Sequence, residues 1–108
     1  MELTFSTKFM RDLAADSKKA YKHLGADNGQ AFIGVIADFR AAVFVGDVPG
    51  NPASVRRDDQ SFRIDWVVSS TCTLHTVVTV ASTSNDEAWR DCYRIRLDTV
   101  TLGKEILS

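Results

Sequence analysis

The chain has 108 residues, 44% of them hydrophobic and 25% charged, with a formal net charge of −1 and a pI of about 6.1. That length fits one domain spanning residues 1–108 with a single modest core, and the charge leaves nucleic-acid binding to a local basic patch rather than a global field. No apolar run is long enough to cross a membrane, and Met1-Glu2-Leu3-Thr4 lacks the basic-then-apolar pattern of a signal peptide, so a cytoplasmic location is expected.

Leu3-Thr4-Phe5 alternates apolar and polar and reads as a short strand. Ser6 or Thr7 can cap the helix that follows. Phe9, Leu13, Ala20, Tyr21 and Leu24 fall on one helical face, with Lys8, Arg11, Lys18, Lys19 and Lys22 mostly on the other. Lys22 and His23 suit the negative end of the helix dipole, and Gly25 supplies a left-handed stop. Asp27-Asn28-Gly29-Gln30 is a variant capping box. Ala31, Phe32, Val35, Ile36, Phe39, Ala42 and Val43 keep helical spacing, which predicts a second helix from Asn28 to about Val45. Gly46, Pro49, Gly50 and Pro52 end it in a loop.

The remainder reads as β. Phe62, Ile64, Trp66 and Val68 face one way, and Arg63, Asp65 and Val67 the other. Ser69-Ser70-Thr71 is the expected turn. Cys72 to Ala81 is rich in Val and Thr and forms the next strand, with His75 and Val77 opposite Leu74, Thr76 and Val78. Residues 82–90 read as loop. Asp91 to Thr99 gives a last strand, with Tyr93, Ile95 and Leu97 opposite Cys92, Arg94 and Arg96. Ala53 to Arg57 is a candidate extra strand. The expected fold is α+β, in the order β-α-α-β-β-β, with a twisted antiparallel sheet against a helical hairpin. Phe5, Leu13, Phe32, Val35, Ile36, Phe39, Phe62, Ile64 and Trp66 form the expected core. The far face of the sheet is left as solvent or as a binding surface.

Cys72 and Cys92 lie in separate predicted strands without CxxC spacing, which favours free thiols. Two cysteines and two distant histidines make a poor zinc site, and no metal or cofactor is expected.

Three phrases then add to this order: Leu24 to Asn28 (LGADN), Ala37 to Ala42 (ADFRAA) and Gly50 to Pro52 (GNP). With the basic loop Val55-Arg56-Arg57-Asp58-Asp59 after them, the chain resembles the HigB-type toxins of the RelE/ParE superfamily over residues 3–68. The resemblance implies a ribosome-dependent mRNA endonuclease that is neutralised by a cognate antitoxin. It also implies metal-free chemistry, in which cationic side chains stabilise the scissile phosphate and a base assists attack by the ribose 2′-OH. On that reading His75 is the candidate proton carrier, with Arg63 and Arg94 as charge stabilisers. Arg56, Arg57, Arg96, Lys18, Lys19 and Lys22 are the candidate RNA and phosphate contacts.

Each candidate also has a plain structural explanation. Arg56 and Arg57 adjoin Asp58 and Asp59, Arg94 and Arg96 suit a solvated strand face, and the lysines suit a wet helix face. Trp66 reads as core, while Trp89 is either packed back or an exposed anchor. The C-terminal run Leu102 to Ser108 carries no aromatic or histidine of the kind that takes part in cleavage in related toxins. A second reading therefore stands beside the first: a non-catalytic RelE-like module that acts by binding a protein partner.

Overall fold

The computed structural model describes residues 1–50 and 52–108; Asn51, in the middle of the Gly50–Pro52 phrase, lies outside the described residues. The elements are β1 (Glu2–Phe5), α1 (Lys8–Ala15), α2 (Ser17–Leu24), α3 (Ala26–Ala41), β2 (Ser54–Arg57), β3 (Ser61–Ser69), β4 (Cys72–Thr79), β5 (Arg94–Leu102) and β6 (Glu105–Leu107). The sheet order is β1-β5-β4-β3-β2, with β6 also paired to β5. The α+β class expected from the sequence holds. One pairing departs from it. β1 runs parallel to β5, with Leu3 opposite Ile95 and Phe5 opposite Leu97, so the sheet is mixed. The helices between these two strands carry the chain far enough for β1 and β5 to align in parallel.

The first helix is two helices rather than one. Thr7 caps α1 by accepting from the Met10 N–H at 3.2 Å. Asp16 then adopts an extended conformation, ends α1 and caps α2 by accepting from the Lys18 N–H at 2.9 Å. A short polar side chain that satisfies a free backbone donor competes here with helix continuation. Because of this break, Met10 is fully buried and Tyr21 is exposed, against the expected single face. Gly25, at φ +86°, makes the stop before α3. It occupies the N-cap of α3 and leaves Asp27 in the first turn, where its charge suits the helix dipole.

At the close approach of α2 and α3, a Cβ at Gly29 would lie 3.0 Å from Tyr21 Cα and 3.1 Å from the Ala20 carbonyl carbon. Only a glycine lets the two backbones pack this tightly. Helix α3 ends at Ala41 rather than near Val45. The following chain is held elsewhere: the Val45 N–H donates to the Cys92 carbonyl at 2.8 Å, and Val45 is buried.

All buried hydrophobic residues belong to one cluster. Phe32, Ile36 and Phe39 of α3 meet Phe62, Ile64 and Trp66 of β3, with Leu74 and Val78 of β4 and Ile95, Leu97 and Val100 of β5. Phe39 packs edge-on against Trp66 at 5.0 Å between ring centroids. Trp66 Nε1 donates to Thr76 Oγ1 at 3.0 Å, and Thr76 donates to the Ile64 carbonyl at 2.8 Å. Thr76, the one buried polar side chain among the described residues, is thus satisfied. Phe5 and Val35, both expected in the core, are half-buried at its margin.

Replacing Phe39 by Ala removes a fully buried ring from the helix–sheet contact. It is expected to cost about 3–5 kcal/mol in chemical denaturation, since the surrounding residues collapse only in part onto the cavity. A change below about 1 kcal/mol, the size of an ordinary surface substitution, would contradict this packing.

Candidate functional site

The helices cover one face of the sheet only. Strand alternation sends Arg63 and Asp65 of β3, and His75 and Val77 of β4, to the uncovered face. Arg56 of β2 pairs in register with Arg63, and Asp65 pairs with His75. β4 and β5 slip register between His75 and Thr76: His75 lies opposite Thr99, but Thr76 lies opposite Leu97. That bulge at Asp98 resets the alternation of β5, so Val100 points into the core and Thr101 reaches the open face.

The centre of the site is a chain of three side chains from three adjacent strands. Asp65 Oδ1 lies 2.7 Å from His75 Nδ1, and His75 Nε2 lies 2.6 Å from Thr101 Oγ1. The His75 side chain keeps about a third of its surface exposed. These groups line a depression of about 350 Å³ together with Arg56, Arg63 and Ile106. A second depression, of about 540 Å³, lies beside it and is lined by Thr4, Thr79, Cys92, Tyr93, Arg94 and Arg96. Val77 contributes to both, so the two form one continuous surface.

Each arginine of this surface has a carboxylate partner among the described residues. Arg56 lies 3.9 Å from Asp65 and Arg63 3.1 Å from Asp58. Arg94 lies 3.2 Å from Glu2, and Arg96 2.6 Å from Asp98. The hydrogen bond to Asp98 holds the Arg96 guanidinium above its usual range, against slight burial. These pairs are solvent-exposed on the arginine side. Pairs of this kind contribute little to stability, and an incoming phosphate can displace the carboxylate.

The structure divides the residues expected from sequence into three groups. His75, Arg63 and Arg56 share one groove, and Arg94 and Arg96 share its neighbour. Arg57 is turned away. Its guanidinium donates to the carbonyls of Ser84 at 2.6 Å and Asn85 at 2.8 Å, approaches Asp86 and stacks over the Phe62 ring. It holds the loop after β4 in place, a structural role away from the groove that His75, Arg63 and Arg56 share. Lys18, Lys19 and Lys22 lie on α2, which packs on α1 and α3 on the opposite side of the molecule. Lys19 pairs there with Asp12 at 3.3 Å. The lysines thus form no part of the open sheet surface.

Trp89 is buried, with the Arg90 guanidinium over its ring at 4.5 Å. The strand alternation puts Tyr93 on the same face as Ile95 and Leu97. Instead it precedes β5 and is well exposed at the groove of Arg94 and Arg96. Cys72 and Cys92 are free, and burial pushes both thiols up, which disfavours the nucleophilic thiolate. Thr101 is the site residue that the sequence did not reveal. It lies beyond the predicted strand end, and its facing depends on the bulge. The strand alternation does carry a signal for Asp65, since its face and the short turn after β3 set it opposite His75.

No helix is long and apolar enough to cross a membrane, and among the described residues no three His, Cys, Asp or Glu side chains cluster so as to hold a metal ion. No family model, no curated protein and no solved structure matches the chain.

The two adjacent arginines of β2 are expected to separate experimentally. Arg57→Ala leaves a cage of carbonyls without its donor and is expected to lower stability by about 1.5–3 kcal/mol, the range for hydrogen bonds to a charged group. Arg56→Ala, at the exposed edge of the groove, is expected to stay within about 0.5 kcal/mol of wild type. Equal losses in urea titration would contradict the assignment.

Proposed function

We propose that the chain works through the open face of its sheet, as a RelE-like toxin that cleaves mRNA on the ribosome and is restrained by a cognate antitoxin. The observation that carries this reading is the convergence of His75, Arg63 and Arg56 on one groove. Metal-free cleavage needs a proton carrier beside cationic groups that stabilise charge on phosphorus. His75 is held on one side by Asp65, whose carboxylate lies 2.7 Å from Nδ1 and orients the ring. Arg63 and Arg56 supply positive charge at the same groove. Arg94 and Arg96 extend the surface along β5 and provide further phosphate contacts for a single strand. The phrases LGADN, ADFRAA and GNP and the order of elements support the same reading.

A second reading rests on a specific observation. Each arginine of the open face already has a carboxylate partner, which suits a non-catalytic surface that recognises a protein. On that reading the same face binds an antitoxin-like chain and cleaves nothing.

Translation-coupled cleavage with purified ribosomes distinguishes the two. The toxin reading expects wild type to cut mRNA with metal-independent protein chemistry. His75→Ala and Arg63→Ala are each expected to lose about a hundredfold or more, the usual size of a general acid–base or charge-stabilising contribution. Intact mRNA with wild type, together with unimpaired growth on expression, would overturn the toxin reading in favour of the binding module.

A further inference from the structure

The hydrogen bonds of His75 specify more than its position. An ionised carboxylate only accepts, so the contact with Asp65 places a hydrogen on Nδ1. In the neutral ring Nε2 is then bare and can only accept. The atom it meets is the Thr101 hydroxyl, at 2.6 Å. That hydroxyl has one proton to give and two lone pairs to receive with, and Thr101 also lines the groove. Nε2 therefore meets the groove across an oxygen. The charged groups around this contact are Asp65 and Arg63 from β3, Arg56 from β2 and Asp98 from β5.

We infer that Thr101 is the third member of this site: its hydroxyl donates to His75 Nε2, fixes the Nδ1–H tautomer and carries protons between the groove and the ring. The inference deepens the nuclease reading and rests on it for the identity of the proton donor. In that reaction the ribose 2′-OH gives its proton to Thr101 Oγ1 while the Thr101 proton passes to Nε2. The 2′-oxygen bonds to the adjacent phosphorus and the bond from phosphorus to the 5′-oxygen breaks. A 2′,3′-cyclic phosphate is left, the departing 5′-oxygen takes a proton from water, and the imidazolium returns its proton to solvent. Asp65 accepts from Nδ1–H and keeps the ring oriented throughout.

Two measurements need no RNA. Nitrogen-15 spectra of the imidazoles are expected to show neutral His75 with hydrogen on Nδ1 and a bare Nε2. Ethoxyformylation by diethyl pyrocarbonate, read residue by residue by mass spectrometry, attacks a free Nε2. It is expected to be slow at His75 in wild type and in Thr101→Ser, and severalfold faster in Thr101→Val, with His23 as the internal control. An Nε2–H tautomer in the wild type would overturn the inference even if the valine variant fails to fold. So would equal His75 reactivity in wild type and a folded Thr101→Val. In the ribosome assay Thr101→Val is expected to lose cleavage and Thr101→Ser to keep most of it, and equal activity of the two would likewise overturn the relay. If wild type does not cleave, the nuclease reading and the reaction step fail together, while the tautomer and reactivity data still decide where Thr101 donates.

Discussion

One-sided burial of the sheet is the constraint on which the rest of this structure depends. In β3 and β4 the side chains alternate strictly. Phe62, Ile64, Trp66, Leu74 and Val78 go under the helices, and Arg63, Asp65, His75 and Val77 go to the uncovered side. A slip of one residue in either strand would exchange the two sets, burying charges and exposing the core. The Phe39–Trp66 contact and the Trp66–Thr76–Ile64 hydrogen bonds hold the register from the inner side. The Asp65–His75–Thr101 chain bridges β3, β4 and β5 on the outer side. Fold and site are therefore two faces of one alternation.

The bulge in β5 is the second determinant of the surface. Without it, Thr101 would share the parity of Ile95 and Leu97 and point into the core. With it, Val100 fills the core while Thr101 closes on His75. β6 then pairs across Thr101 and sets Ile106 at the rim of the groove. Irregular pairing at this point re-aims one polar side chain at another, a common role for bulges beside functional residues.

Where local pattern decides the structure, the sequence was readable. The polar/apolar alternation of 61–68 and 72–79, the Gly25 stop and the helical spacing of Phe32, Ile36 and Phe39 all appear as expected. Three features were not readable from these patterns. The break at Asp16 trades one long helix for two capped ones. The parallel pairing of β1 with β5 joins residues some ninety positions apart. The register slip at Asp98 is invisible to a count of alternating positions. The same division applies to the site. His75, Arg63 and Arg56 follow from strand faces, whereas Thr101 follows only from the slip. Arg57 looked equivalent to Arg56 because adjacent residues of an edge strand differ only in the face they take, and the loop that claims its guanidinium is distant in sequence.

The central claim is that the open face of the sheet, and not the lysine-bearing helix α2, meets the target. Amide hydrogen exchange of the full chain, with and without purified ribosomes carrying mRNA, tests it most directly. The account predicts added protection in β4, β5 and β6, around residues 72–79 and 94–107, with α2 unchanged. Protection confined to residues 17–24, with the sheet exchanging as in the free protein, would contradict it.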